Sequence, residues 1–310
     1  MLIWLIIGSC DSRNTPSNNL PTTNMESGAD LVPKSGNSNS EKNPAIENNN
    51  IIRIYLTPCI SETIVREKGA QLISFLEKES NLKFELHITK NYDDMIGAFE
   101  KGIADVAIMN SLSYIKVNES CGATARLRSL RYGKSTYFGQ IIARTDKNLS
   151  DLSDLQGKAI AYTDPSSTSG YLFPQKLLRN KGIEPSKTVF AGKHDNVVKM
   201  VYEGKVDAGA TFYTEPASDG TIRDARSRLL NQYPDVISKV KIIAITDPIP
   251  NDPVVFRRDL PQETSFRISL GLIKFISTEL GKSIMYDLYS MDGFVRCSDA
   301  DYDILRSAIK

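Results

Sequence analysis

From Ile51 onward the chain alternates two hydrophobic periods, and that alternation leaves few folds open. Ile51-Ile-Arg-Ile-Tyr-Leu56 has the pattern of a strand and runs into the loop Thr57-Pro-Cys-Ile-Ser-Glu-Thr63. Residues 66–79 read as an amphipathic helix with Ala70, Ile73 and Leu76 on one face. Residues 83–89 read as a second strand, 92–101 as a second helix and 105–109 as a third strand. Strands taken in turn with helices predict a parallel or mostly parallel α/β sheet. Such sheets bind ligands at the carboxyl ends of their strands, which here are the loop after Leu56, Asn91-Tyr92 and residues 110–114. Residues 137–144 form a strand leading out of this first lobe, and the α/β pattern then starts again. Residues 264–289 are expected to be helical, with Phe266, Leu270, Ile273, Phe275 and Ile276 on a face that packs back on the first lobe.

The local feature that bears on chemistry is Asp164-Pro-Ser-Ser-Thr-Ser-Gly-Tyr-Leu-Phe-Pro174. It follows the strand-like run of residues 158–162 and precedes a helical stretch, 172–181. The first turn of a helix has N–H groups without intrahelical partners, and the helix dipole adds partial positive charge there. Hydroxyls at the same place supply further donors, so the run suits a tetrahedral oxyanion. Any single Ser or Thr is adequately explained as a helix cap, but one cap needs one hydroxyl and this run has four hydroxyl residues.

Whole-chain charge adds nothing to that preference. There are 38 basic and 37 acidic residues, so neither nucleic acid nor a membrane surface is implied as a general partner. Cysteines stand at positions 10, 59, 121 and 297 without metal-site spacing, and only two histidines are present. A zinc site or other cofactor is not expected. Whether the cysteines pair cannot be read from their spacing.

The Ser/Thr run resembles that of the phosphate, phosphite and phosphonate substrate-binding proteins of ABC importers. Other stretches agree in the same order: Asp105-Val-Ala-Ile-Met-Asn-Ser-Leu-Ser-Tyr114, Phe190-Ala-Gly-Lys-His-Asp195, Gly204-Lys-Val-Asp-Ala-Gly-Ala210, Pro248-Ile-Pro-Asn-Asp-Pro253 and Asp292-Gly-Phe-Val-Arg-Cys-Ser-Asp-Ala-Asp-Tyr302. The resemblance implies a type II periplasmic-binding-protein fold: two α/β lobes, each a mixed, mostly parallel sheet flanked by helices. Lobe 1 would be residues 51–140 with 251–310, and lobe 2 residues 141–250. Two crossing hinge segments are expected near 140–144 and 245–252. It also implies a binding protein rather than an enzyme, acting as a monomer with an ABC permease and its ATPase. Ser167, Thr168 and Ser169 would hold the anion. Tyr114 would reach it from the first lobe, Tyr92 would form part of the wall, and His194 would donate from the second lobe. Asp252 and Glu215 are the carboxylates expected near the ligand, able to meet a protonated oxygen or an amine.

The family pattern is broken in three places. The loop at residues 57–63 carries Cys59 and Glu62, Met109-Asn-Ser111 replaces a Phe-Gly-Pro-like turn, and Arg296-Cys297 replaces a Pro-Val-like pair. These differences leave the ligand open among phosphate, phosphite and phosphonates. The competing class is an enzyme or sensor module acting on a small phosphorylated ligand with the same two-lobed fold. No Walker loop, dinucleotide fingerprint or nucleophile elbow supports an enzyme.

The N-terminal 50 residues have a different character. Residues 2–7 are apolar and lead into Ile7-Gly-Ser-Cys10, which resembles a lipobox with Cys10 as the lipidated residue. The run is too short to span a bilayer and lacks a basic leader, so the true start is expected upstream. Residues 11–50 are rich in Asn, Ser, Pro and Thr, and read as a disordered tether of roughly 35 Å reach. Together these place the protein on the outer face of the cytoplasmic membrane, held by a lipid on Cys10.

Overall fold

The computed structural model describes residues 51–57 and 62–309. Cys10, the expected tether and Cys59 lie outside the described residues.

The first sheet begins as the alternation predicts. β1 (Ile52–Leu56) pairs in parallel with β2 (Phe84–Ile88) and β3 (Val106–Ile108), connected through α1 (Glu62–Ser80) and α2 (Tyr92–Glu100). Period-two patterning sends side chains of each strand into two cores. Ile52, Ile54 and Leu56 enter one with Val106 and Ile108, whereas Tyr55 and Ala107 enter the other. α1 turns much of the expected face inward, with Leu76 buried and Ile73 packed against the core. Val65, Gly69, Leu72 and Leu76 are buried, and Ala70 is exposed.

α3 (Ser111–Cys121) leads to β4 (Thr124–Leu130), and the chain then leaves this sheet. It returns as β10 (Pro253–Phe256), inserted antiparallel between β3 and β4. α7 (Gln262–Ser277), α8 (Glu279–Tyr289), β11 (Gly293–Arg296) and α9 (Asp303–Ile309) complete the lobe, with β11 antiparallel to β4. The expected apolar face of residues 264–289 is partly corrected. Ile268, Leu272, Phe275 and Ile276 are buried, but Phe266 and Leu270 point to solvent beside a surface groove near Arg126.

The second sheet has the order β7-β6-β8-β5-β9. β5 (Thr136–Arg144) and β9 (Val240–Pro250) run antiparallel side by side. β6 (Ala159–Tyr162), β7 (Lys187–Phe190) and β8 (Ala208–Tyr213) supply the parallel pairs. α4 (Phe173–Asn180) and α5 (His194–Tyr202) link them. The short helix α6 (Val236–Lys239) precedes β9.

Both sheets are mixed, as expected, but parallel pairings are confined to the βαβ parts. The crossing and returning strands pair antiparallel throughout. The hinge expected at residues 140–144 is a correction: Gln140–Ala143 are buried in the middle of β5, paired on both sides. The chain instead crosses between Leu130 and Thr136, and again between Pro250 and Pro253. Crossing there leaves few ladder hydrogen bonds to break when one lobe moves against the other.

Candidate functional site

The Ser/Thr run folds as a strand-to-helix junction. β6 ends at Tyr162, and Ser167 Oγ accepts from the N–H of Gly170 at 3.0 Å, capping a π-helical turn, Thr168–Leu172, that continues into α4. Thr168 and Ser169 are both buried. Two glycines make room for this turn. A Cβ on Gly170 would stand 2.2 Å from Thr163 Oγ1, and one on Gly139 would stand 2.8 Å from the Ser169 carbonyl oxygen. Any larger residue would push the hydroxyl turn away from β5 and β6.

Ser169 opens on a cavity of about 400 Å³ walled by both lobes. Arg131, Tyr132 and Asp252 come from the crossing side of the first lobe, with His194 and Arg228 opposite. Tyr137, at the start of β5, lies between the lobes. Its side chain lies beside Ser169 and Thr168. Burial, then the Asp252 carboxylate, push this phenol up to about 12, so it is a neutral donor at physiological pH. Tyr137 is a residue that sequence reading missed as a site candidate. Its one local signal was a polar-tipped aromatic at the start of a crossing strand.

His194 is the first residue of α5, and its Nδ1 lies 2.8 Å from Thr211 Oγ1. The ring stands edge-on to Phe212 at 5.0 Å. Burial, then the positive charge of Arg228, lower its pKa from 6.5 to about 4. The unliganded imidazole is therefore neutral above pH 5, and the unfolded chain binds more protons between about pH 4 and 6.5. Stability of the unliganded protein should thus fall as pH drops through that window and be unaffected by this group above it. A proton NMR titration, with the signal assigned by its loss in His194→Gln, checks this. A midpoint near 6.5 without ligand would contradict it.

The other sequence candidates are distributed more widely. Asp252 is in the cavity wall, but its carboxylate receives Arg131 Nη2 at 2.6 Å. Glu215 lines an adjoining cleft instead, half exposed and paired with Lys134 at 3.5 Å. Tyr92 opens α2 behind the Asn91 cap and packs against the first-lobe core. Tyr114 is not brought to the cavity. It is fully buried on α3, its ring edge-on to Tyr302 and its hydroxyl donating to Asp299 at 2.6 Å. An inward-facing helical position buries the ring, and Asp299 satisfies the hydroxyl that would otherwise be stranded.

The cavity's cations were also not anticipated. Arg223 precedes, and Arg228 lies within, a 3₁₀ turn, Ala225–Leu229. Inside that turn Arg226 is almost fully buried against Asp224, at 2.8 Å, and also donates to the Val240 carbonyl. Asp224 in addition accepts from the Arg226 N–H as the turn's cap. The buried pair pins the turn, and its neighbours on either side project to the cavity. In sequence, Arg-Asp-Ala-Arg-Ser-Arg reads only as a charged loop.

Two lobes of mixed α/β sheet with a hydroxyl-lined cleft between them define a solute-binding protein. Residues 54–302 match the family described as ABC transporter, phosphonate, periplasmic substrate-binding protein, and the chain belongs to that family. The family is a transporter component and not an enzyme, and its members act outside the cytoplasm. The phosphate-import protein PhnD of Mycolicibacterium smegmatis is 27% identical over 177 residues, covering 53% of this chain and 55% of the relative. The phosphonates-binding periplasmic protein of Escherichia coli is 23% identical over 230 residues, covering 73% and 66% respectively. The chain thus spans just over half to two thirds of the length of these curated relatives. PhnD1 of Prochlorococcus marinus, solved in complex with methylphosphonate, superposes with a TM-score of 0.62 at 17% identity, covering 84% of this chain and 97% of that one.

Proposed function

We propose that this chain captures a phosphorus oxyanion (a phosphonate, phosphite or phosphate) between its lobes and delivers it to the permease and ATPase of an ABC importer. The observation that carries this reading is the meeting of Ser169, Tyr137 and His194 in one interlobe cavity. Ser169 and Thr168 donate from the turn, Tyr137 from the crossing strand and His194 from α5. Ser167 supports them as the turn's cap, and Asp252 orients Arg131. Relatives named for phosphate import and for phosphonate binding, and a structural neighbour holding methylphosphonate, support the ligand class. An anion touching both lobes binds the closed state better than the open one, so it shifts the population toward closure. The protein works as a monomer in this reading.

Calorimetry of the protein with phosphate, phosphite and methylphosphonate tests the proposal. Saturable one-to-one binding of at least one of them is expected, and no heat from any would overturn it.

The same reading places the protein on the membrane through a lipid on Cys10, a position outside the described residues. Cys10→Ser, expressed with the chain's natural start, should leave affinity unchanged and move the protein to the soluble fraction. Retention in the membrane fraction would refute the anchor.

A further inference from the structure

We infer that the ligand carries a second acidic group beside its phosphorus oxyanion, and that Arg223 and Arg228 receive it. The inference rests on the oxyanion site proposed above and goes beyond it to the other end of the same cavity. That cavity is lined by three guanidinium groups, Arg131, Arg223 and Arg228, against one carboxylate, Asp252. Arg131 and Asp252 neutralise each other at 2.6 Å. Among the described residues neither Arg223 nor Arg228 forms an ion pair; Asp219 feels the charge of Arg223 without pairing with it, so both guanidinium groups line the cavity with no carboxylate in contact.

Both guanidinium groups are held by stacking rather than by salt bridges. Arg223 lies over the Tyr132 ring at 4.2 Å and Arg228 over Phe212 at 4.8 Å. Stacking occupies the face of a guanidinium and leaves its edge N–H groups free for a planar, two-pronged acceptor such as a carboxylate or phosphate. Tyr132 itself has a positive φ of 53°, followed by Gly133 at 69°, in the tight turn closed by Arg131 and Lys134. A bulky residue seldom adopts that conformation, and here it sets the ring beneath Arg223, across the lobes. The buried Asp224–Arg226 pair fixes the turn carrying both cations.

Space and charge point the same way. A cavity of about 400 Å³, with Arg223 also bordering the adjoining cleft of about 170 Å³, is larger than a lone tetrahedral anion fills. An amine at the far end of the ligand would meet these cations. Of the carboxylates lining the cavity and its adjoining cleft, Asp252 is engaged by Arg131 and Glu215 by Lys134. The ligand class is thus a phosphonate or phosphate bearing a carboxylate or a second phosphate, and not an aminophosphonate.

Calorimetric titration of the full chain with methylphosphonate, 2-aminoethylphosphonate, phosphonoacetate and pyrophosphate tests this. Phosphonoacetate or pyrophosphate should bind at least about tenfold more tightly than methylphosphonate, the scale of one good charge-assisted contact, and 2-aminoethylphosphonate should bind most weakly. Whichever of the two diacids leads identifies the second group. Arg223→Met and Arg228→Met keep the apolar stems over the rings, and should each weaken binding of the leading diacid several times more than binding of methylphosphonate, which shrinks the preference. Methylphosphonate binding as tightly as both diacids, or a preference surviving in both variants, would overturn the inference alone. Failure of all four compounds to bind would overturn the oxyanion reading and this inference with it.

Discussion

Asp224→Ala is expected to destabilise the protein by about 3–5 kcal/mol, because it strands the buried guanidinium of Arg226. Asp224 and Arg226 are 1% and 8% exposed, and they share two side-chain hydrogen bonds, with a third contact from the Arg226 N–H to the same carboxylate. For a protein of this size the loss corresponds to a fall in Tm on the order of 10 °C. Asp224→Asn should fall between, since the amide oxygen can still cap the turn without supplying charge. Replacing both partners, Asp224→Leu with Arg226→Met, should recover much of the loss, because no unpaired charge then remains buried. Thermal unfolding of the four proteins checks the set. An Asp224→Ala protein that loses less stability than the double variant would contradict the assignment.

Ser169→Ala is expected to weaken binding of the oxyanion by roughly ten- to a hundredfold, the equivalent of about 1.5–3 kcal/mol for a hydrogen bond to a charged group. Thr168→Val should act similarly, keeping the shape of the side chain while removing a hydroxyl that lies beside Tyr137. Ser167→Ala provides the contrast. Its Oγ accepts from Gly170 N–H, so that change should cost about 1 kcal/mol of stability and leave affinity nearly as it was. Calorimetry and unfolding measured on the same preparations separate the two roles. If all three variants melted lower and bound as tightly as the parent, the run would be a helix cap and nothing more.

How much of this could be read beforehand depended on whether the signal was local. Strands such as Ile52–Leu56 were legible because their alternation is dictated by the pleat, and the Ser/Thr turn because hydroxyls and glycine sit together at a strand-to-helix junction. The hinge was misplaced because residues 140–144, with Ile141 to Ala143 apolar between Gln140 and Arg144, look alike in a crossing segment and in a central strand, and only the pairing of β5 with both β8 and β9 decides between them. Tyr114 and Tyr137 illustrate the same limit. Each is a tyrosine near a strand or helix end, yet one faces the core and Asp299 and the other faces Ser169. Arg223 and Arg228 meet Arg131 from about a hundred residues away in sequence, so their shared field has no local signature. A charged loop is usually a solvated one; here a buried ion pair turns it toward the cleft.

The most direct test of the oxyanion site is a crystal structure of the protein grown with methylphosphonate. The anion should lie between the lobes, with its oxygens within hydrogen-bond distance of Ser169, Tyr137 and His194. An anion bound elsewhere, with that cavity holding only solvent, would contradict the account.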